Sequence, residues 1–106
     1  MKRTTTLAAA AVMGLALSAN AMADVKIGLL TTLTGPGSVL GQDQLDGFML
    51  AVEQGGGKLG GVPVQVIKED DQFKPEVGVQ AARKLVQSDK VPIITGVVYS
   101  LSLIHI

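Results

Sequence analysis

Asp24–Gln54 reads DVKIGLLTTLTGPGSVLGQDQLDGFMLAVEQ, and a change of hydrophobic period inside it decides the fold. Val25, Ile27, Leu29 and Leu30 make a short apolar run with little polar interruption. Such a run suits a strand buried on both faces of a parallel sheet. Thr31–Gly37 follows as a loop, with Gly35-Pro36-Gly37 supplying the turn chemistry. From about Ser38 the period lengthens: Leu45, Phe48, Met49 and Val52 fall at i, i+3, i+4 and i+7, one apolar stripe on a helix. Strand, glycine-rich loop and amphipathic helix form the first half of a βαβ unit. In such units small ligands meet the protein where strand ends face helix starts.

Toward the C-terminus, Gly55-Gly56-Gly57-Lys58-Leu59-Gly60-Gly61 ends the helix and reads as a plain loop. A phosphate-binding reading of Gly57-Lys58 fails, because Val52 stands where the motif needs Gly and Leu59 where it needs Ser or Thr. Val62–Lys68 (VPVQVIK) alternates and is rich in β-branched residues, which predicts a second strand with Pro63 near its start. Glu69-Asp70-Asp71 closes it and reads as a solvated turn. A calcium loop needs further oxygen ligands that Gln72-Phe73-Lys74-Pro75 does not supply. Pro75 and Glu76 suit the first turn of a second helix, on which Gly78, Ala81, Ala82 and Leu85 make a small-residue face. Val91–Val98 (VPIITGVV) is the third strand, apolar enough to be buried on both faces. The order is an α/β fold, βαβαβ, suited to right-handed crossovers and a parallel sheet. Strand order 2-1-3 places a crevice between strands one and three, bordered by Thr31–Gly41 and the segment from Val98 onward.

Toward the N-terminus, Lys2 and Arg3 precede an Ala/Leu-rich core, Leu7–Leu17, and Ala21-Met22-Ala23 has the small-x-small pattern of a signal-peptidase site. Residues 1–23 are expected to be a signal peptide cleaved between Ala23 and Asp24 on the Sec route. The apolar run is shorter than the roughly 18–20 residues that cross a bilayer. Cleavage removes two of nine basic residues and none of nine acidic ones, which leaves a net charge of −2. The 106 residues leave room for at most one small domain. Aromatic content is 3% and no basic run follows Arg3, which argues against nucleic-acid partners. The absence of cysteine excludes disulfides and thiol chemistry within this chain.

Candidate chemistry points to binding. Gly35–Gly41 only approximates the dinucleotide fingerprint: its third Gly comes one residue late, and Pro36 removes an N–H. The single histidine, His105, lies in the last six residues, with no carboxylate pair or Ser-His arrangement placed for catalysis. No enzyme, metal or cofactor is expected. Hydroxyls at Thr31, Thr32, Thr34, Ser38 and Ser100 cluster near the expected crevice, where neutral donors beside helix starts suit a carboxylate. The alternative is equally open: Ser38 caps a helix and the threonines complete a turn.

The succession of the strand-to-Thr-Gly-Pro loop, Gly-Gly before strand two, Asp-Asp ahead of a Pro-started helix, and Ile-Ile-x-Gly in strand three resembles a known family. It is similar to the start of leucine/isoleucine/valine-binding-type periplasmic proteins, the type I solute-binding receptors of ABC importers. The resemblance covers nearly all of Asp24–Ser100. It implies a monomeric, two-lobed receptor in the periplasm, closing by a hinge on an amino acid or another small aliphatic or aromatic carboxylate, and working with an inner-membrane ABC permease. It further implies that Ser100 contacts the ligand carboxylate, that Val98 and Tyr99 line the pocket beside it, and that Leu40 lines the side-chain end. Relatives that bind aliphatic amino acids often carry an aromatic residue at the position of Leu40, so aromatic acids stay open beside branched-chain amino acids. A sensor domain of the same fold and an exported α/β enzyme are the rival readings.

Receptors of this type are several times longer than this chain. Leu101–Ile106 (LSLIHI) is also the translation of a transposase adapter, CTG-TCT-CTT-ATA-CAC-ATC. The expectation is therefore a signal peptide at 1–23, a partial N-terminal lobe at 24–100 and a non-native tail at 101–106. Such a fragment lies in the marginal size range for folding and is expected to bind no ligand alone.

Overall fold

The structure is a computed structural model that describes residues 24–106; the signal peptide expected at residues 1–23 lies outside the described residues. The elements in order are β1 (Val25–Thr31), α1 (Ser38–Gln54), β2 (Lys58–Leu59), β3 (Val62–Asp70), α2 (Pro75–Arg83), β4 (Ile93–Thr95) and α3 (Ser100–His105). One sheet runs β2-β3-β1-β4. β1 lies parallel to β3 along its whole length and parallel to β4 from Ile27 to Leu29. The three expected strands are thus β1, β3 and β4, in the expected order with the first at the centre.

Alternation along β1 sends its side chains to two different helices. On one face Leu30 joins Ala81, Ala82, Leu85 and Val91 in the core, with Ile67, Ile94 and Val97 packed against them. A side chain at Gly28 would meet Leu85 and Val91 on that same face. On the other face Thr31 donates its hydroxyl hydrogen to Gln44 Oε1 of α1 at 2.8 Å. The helices therefore cover opposite faces, as a doubly wound sheet requires. Leu30 and Leu85 are fully buried, each contributing about 1.5–3 kcal/mol by leaving water. The expected small-residue face of α2 is buried at all four positions, Gly78, Ala81, Ala82 and Leu85. Past Arg83 the helix continues as one wide π turn, Lys84–Ser88.

Several details depart from the sequence reading. On α1 the buried line is Gly41, Leu45 and Val52, whereas Phe48 is half-buried and Met49 is exposed. A Cβ at Gly41 would lie 1.6 Å from the Thr32 carbonyl oxygen, so the helix crosses the β1 loop at backbone contact distance. The Gly55–Gly61 loop contains a small hairpin: Lys58 and Leu59 pair with Pro63 and Val62. Its two turn residues, Gly60 and Gly61, have φ of 57° and 79°, the left-handed pair that a tight hairpin needs. The third strand is three residues long instead of eight, and Ile93 is 54% exposed. β4 is an edge strand of the described sheet, and with Ile94 packed on the core but Ile93 and Thr95 exposed, burial on both faces does not occur. Ser100–His105 forms a short helix packed on α2.

The glycines of α1 give a paired test. Gly47→Ala has open space and sits mid-helix, so it should raise stability in urea melts by about 0.5–1 kcal/mol. Gly41→Ala has the same helix-propensity gain but drives a methyl into backbone, and should lower stability by about 1–3 kcal/mol instead.

Candidate functional site

At the carboxyl ends of β1, β3 and β4 the chain makes three loops, and two adjacent carboxylates tie them together. Asp71 is fully buried. Its Oδ1 accepts hydrogen bonds from the Thr32 hydroxyl at 2.7 Å and the Phe73 N–H at 2.9 Å. Its Oδ2 accepts from the Ser102 hydroxyl at 2.9 Å. One carboxyl group therefore joins the loop after β1, the turn after β3 and α3. Among the described residues no buried side-chain nitrogen or oxygen lacks a partner.

Asp70 holds the rest of the first loop. Its Oδ1 accepts from the N–H groups of Leu33 and Gln72, each at 2.8 Å, and its Oδ2 accepts from the Thr34 hydroxyl at 2.8 Å. Partial burial alone would raise the Asp70 carboxyl. The Leu33 and Gln72 N–H groups and the Thr34 donors outweigh it and hold the group below its ordinary value of 3.8. Glu69 pairs with Lys84, which also reaches Asp89 at 3.0 Å. The acidic triplet is therefore not a solvated turn: its members are used as structural acceptors. No metal-holding group of acidic or histidine side chains occurs among the described residues.

The hydroxyl cluster resolves in the same way. Thr31, Thr32 and Thr34 donate to Gln44, Asp71 and Asp70, so these three hydroxyls complete the loop. Ser38 is the first helical residue, not the cap: Gly37 holds the cap position, with no side-chain capping bond.

Phe73 is the residue that sequence reading missed. Gln72 and Phe73 have φ of 55° and 59°, consecutive left-handed residues that are not glycine. This conformation aims the Phe73 ring at Gly37, where an added Cβ would stand 3.1 Å from Cδ2 of the ring. The same ring stacks on Tyr99 with centroids 4.0 Å apart and planes 19° from parallel. The only sequence signal was an aromatic residue between two acids and a proline.

The expected ligand residues fall as follows. Leu40 lies in the first turn of α1 and is 64% exposed. Val98 and Tyr99 are half-buried in the segment after β4, and Ser100, exposed, opens α3. Both segments leave carboxyl ends of parallel strands that are direct neighbours, and the Phe73 ring bridges the first loop to Tyr99. The cleft beside α1 is lined by Leu33, Ser38, Val39, Gln42 and Asp43, which flank Leu40 without including it.

This architecture is that of the type I periplasmic-binding fold, and comparison with known proteins agrees. The family described as periplasmic binding protein matches residues 24–103. The chain is 38% identical over 97 residues to the Leu/Ile/Val-binding protein BraC3 of Rhizobium johnstonii, covering 90% of this chain and 26% of that one. An ABC transporter substrate-binding protein from Sphaerobacter thermophilus superposes with a TM-score of 0.72 at 38% identity, over 77% of this chain and 22% of its own. A solute-binding protein of an R. palustris ABC transporter, solved in complex with benzoate, gives 0.72 at 34% identity, over 77% and 23%. The chain belongs to the periplasmic binding protein family and spans about a quarter of the length of the relatives it matches. The match ends at residue 103 and so includes buried Ser102, two residues beyond the boundary expected at Ser100.

Two stability tests follow from the carboxylates. Asp71→Ala leaves the Thr32 and Ser102 hydroxyls and the Phe73 N–H without their acceptor, at about 1–3 kcal/mol for each donor that stays buried. Urea melts should show a loss of at least that size. Because Asp70 is depressed in the folded state, its contribution is present above pH 3.8 and is lost as pH falls through the folded value. Melts at pH 7 and pH 3 should therefore differ, and Asp70→Asn should reduce the difference.

Proposed function

We propose that this chain is the opening part of the extracytoplasmic substrate-binding component of an ABC importer. It acts as a binder, not a catalyst, and takes a branched-chain amino acid or a related small carboxylate between two hinged lobes. The observation that carries the reading is the reversal of strand order at β1. The loops after β1 and β4 leave neighbouring parallel strands at the carboxyl rim, where open α/β sheets take their ligands. The names of the relatives support the same class, since one is a Leu/Ile/Val-binding protein and another was solved with benzoate.

In this reading Ser100 meets the ligand carboxylate, Val98 and Tyr99 line the wall beside it, and Leu40 faces the ligand's other end. Lobe closure follows from the ligand's better fit to the closed form, and only to that extent. The protein works as a monomer in the periplasm, delivering its ligand to an inner-membrane permease, without a cofactor. Residues 1–23 direct export and are removed.

Calorimetric titration of the complete two-lobed protein with leucine and with benzoate tests the binding role. Binding of either is expected, and Ser100→Ala should weaken it at least about tenfold, the loss typical of a hydrogen bond to a charged group. Residues 24–106 alone should release no heat with either compound. Exported protein should begin at Asp24 by N-terminal sequencing; retention of Met1 in mature protein would contradict the export reading.

A further inference from the structure

We propose that Phe73 is the positioning residue of the ligand site: its ring fixes Tyr99, and through it the Val98–Ser100 segment, against the loop that leads into α1. The proposal rests on the reading of Val98–Ser100 as ligand-lining. Three observations converge on Phe73. Its backbone occupies the left-handed region, where glycine is the undemanding choice and a bulky aromatic is an outlier. A feature that works against the local backbone points to a role for the ring itself. The backbone is held there by the buried Asp71, whose Oδ1 accepts the Phe73 N–H at 2.9 Å. The ring reaches both rim loops, with Gly37 on the α1 side and Tyr99 stacked at 4.0 Å on the β4 side.

The glycine at position 37 fits this arrangement. A Cβ there would come within 3.1 and 3.2 Å of two ring carbons, so the loop approaches the ring as closely as a side-chain-free residue allows. Among the described residues the Tyr99 side chain makes no hydrogen bond, and the stack joins it to Phe73. Removing the ring leaves Val98–Ser100 attached at β4 and, through Ser102, at Asp71, but free to sample other positions between these two anchors. A ligand must then order that segment on binding.

The test uses the complete protein with 3-fluorotyrosine at Tyr99, and three variants: Phe73→Gly, Phe73→Tyr and Phe73→Leu. Phe73→Gly removes the ring while relieving the left-handed backbone, so loss of fold is not its expected result. It should broaden or shift the Tyr99 fluorine resonance and weaken leucine or benzoate binding about tenfold, the cost of ordering one or two released side chains. Phe73→Tyr keeps the stack and should restore both readouts to within threefold of the parent, whereas Phe73→Leu should restore neither. An unchanged Tyr99 resonance in Phe73→Gly overturns the proposal, as does unchanged affinity. If the parent binds neither compound while Phe73→Gly still disturbs Tyr99, the ligand reading fails and the positioning of Tyr99 by Phe73 stands.

Discussion

The carboxyl group of Asp71 is the constraint from which the rim of this protein follows. It is completely enclosed and accepts from Thr32, from the Phe73 N–H and from Ser102, three segments far apart in sequence. The Asp71 N–H in turn donates to the Thr31 carbonyl at 2.9 Å, extending the β1–β3 ladder one step past β3. A buried acceptor of this kind leaves its donors little freedom, because each unmade bond costs more than a made one contributes. The loops at the carboxyl edge are thereby set by polar contacts, while the apolar core between β1 and α2 holds the layer beneath them.

The same network makes room for an unfavourable backbone. Gln72 and Phe73 in the left-handed region cost roughly 1–2 kcal/mol each. Their N–H groups bond to the two aspartates, and the Phe73 ring gains a stacked partner, worth about 0.5–1.5 kcal/mol beyond its buried area. These gains are of the size needed to offset the strain. The left-handed turn also redirects the chain from the end of β3 into Pro75, the start of α2, across which the core is built.

The architecture was legible because it depends on periods. The apolar run of β1, the small-residue face of α2 and the helix starting at Ser38 are local patterns, and each reappears in place. The polar rim was not legible in the same way. Glu69-Asp70-Asp71 reads locally as a solvated turn, and nothing nearby announces that Thr32, 39 positions away, and Ser102, 31 away, supply its donors. Burial of Asp71 is a tertiary result, as is the use of the threonine hydroxyls within the loop. The Gly60-Gly61 hairpin does not stand out in the sequence because the strand before it is only Lys58-Leu59. Of the expected site, Leu40, Val98, Tyr99 and Ser100 came from family resemblance, whereas Phe73 emerges only from the backbone and ring geometry.

Membership of the periplasmic binding protein family and the polar rim describe one arrangement: a parallel layer with loops at its carboxyl rim, tied together by an enclosed carboxyl group. Amide hydrogen exchange measured residue by residue tests the enclosed carboxyl most directly. If Asp71 organises the rim, the N–H groups of Asp71 and Phe73 exchange as slowly as those of Leu29 and Leu30 in the central strand. Exchange at Asp71 and Phe73 as fast as at the exposed Gly60 and Gly61 turn would contradict it.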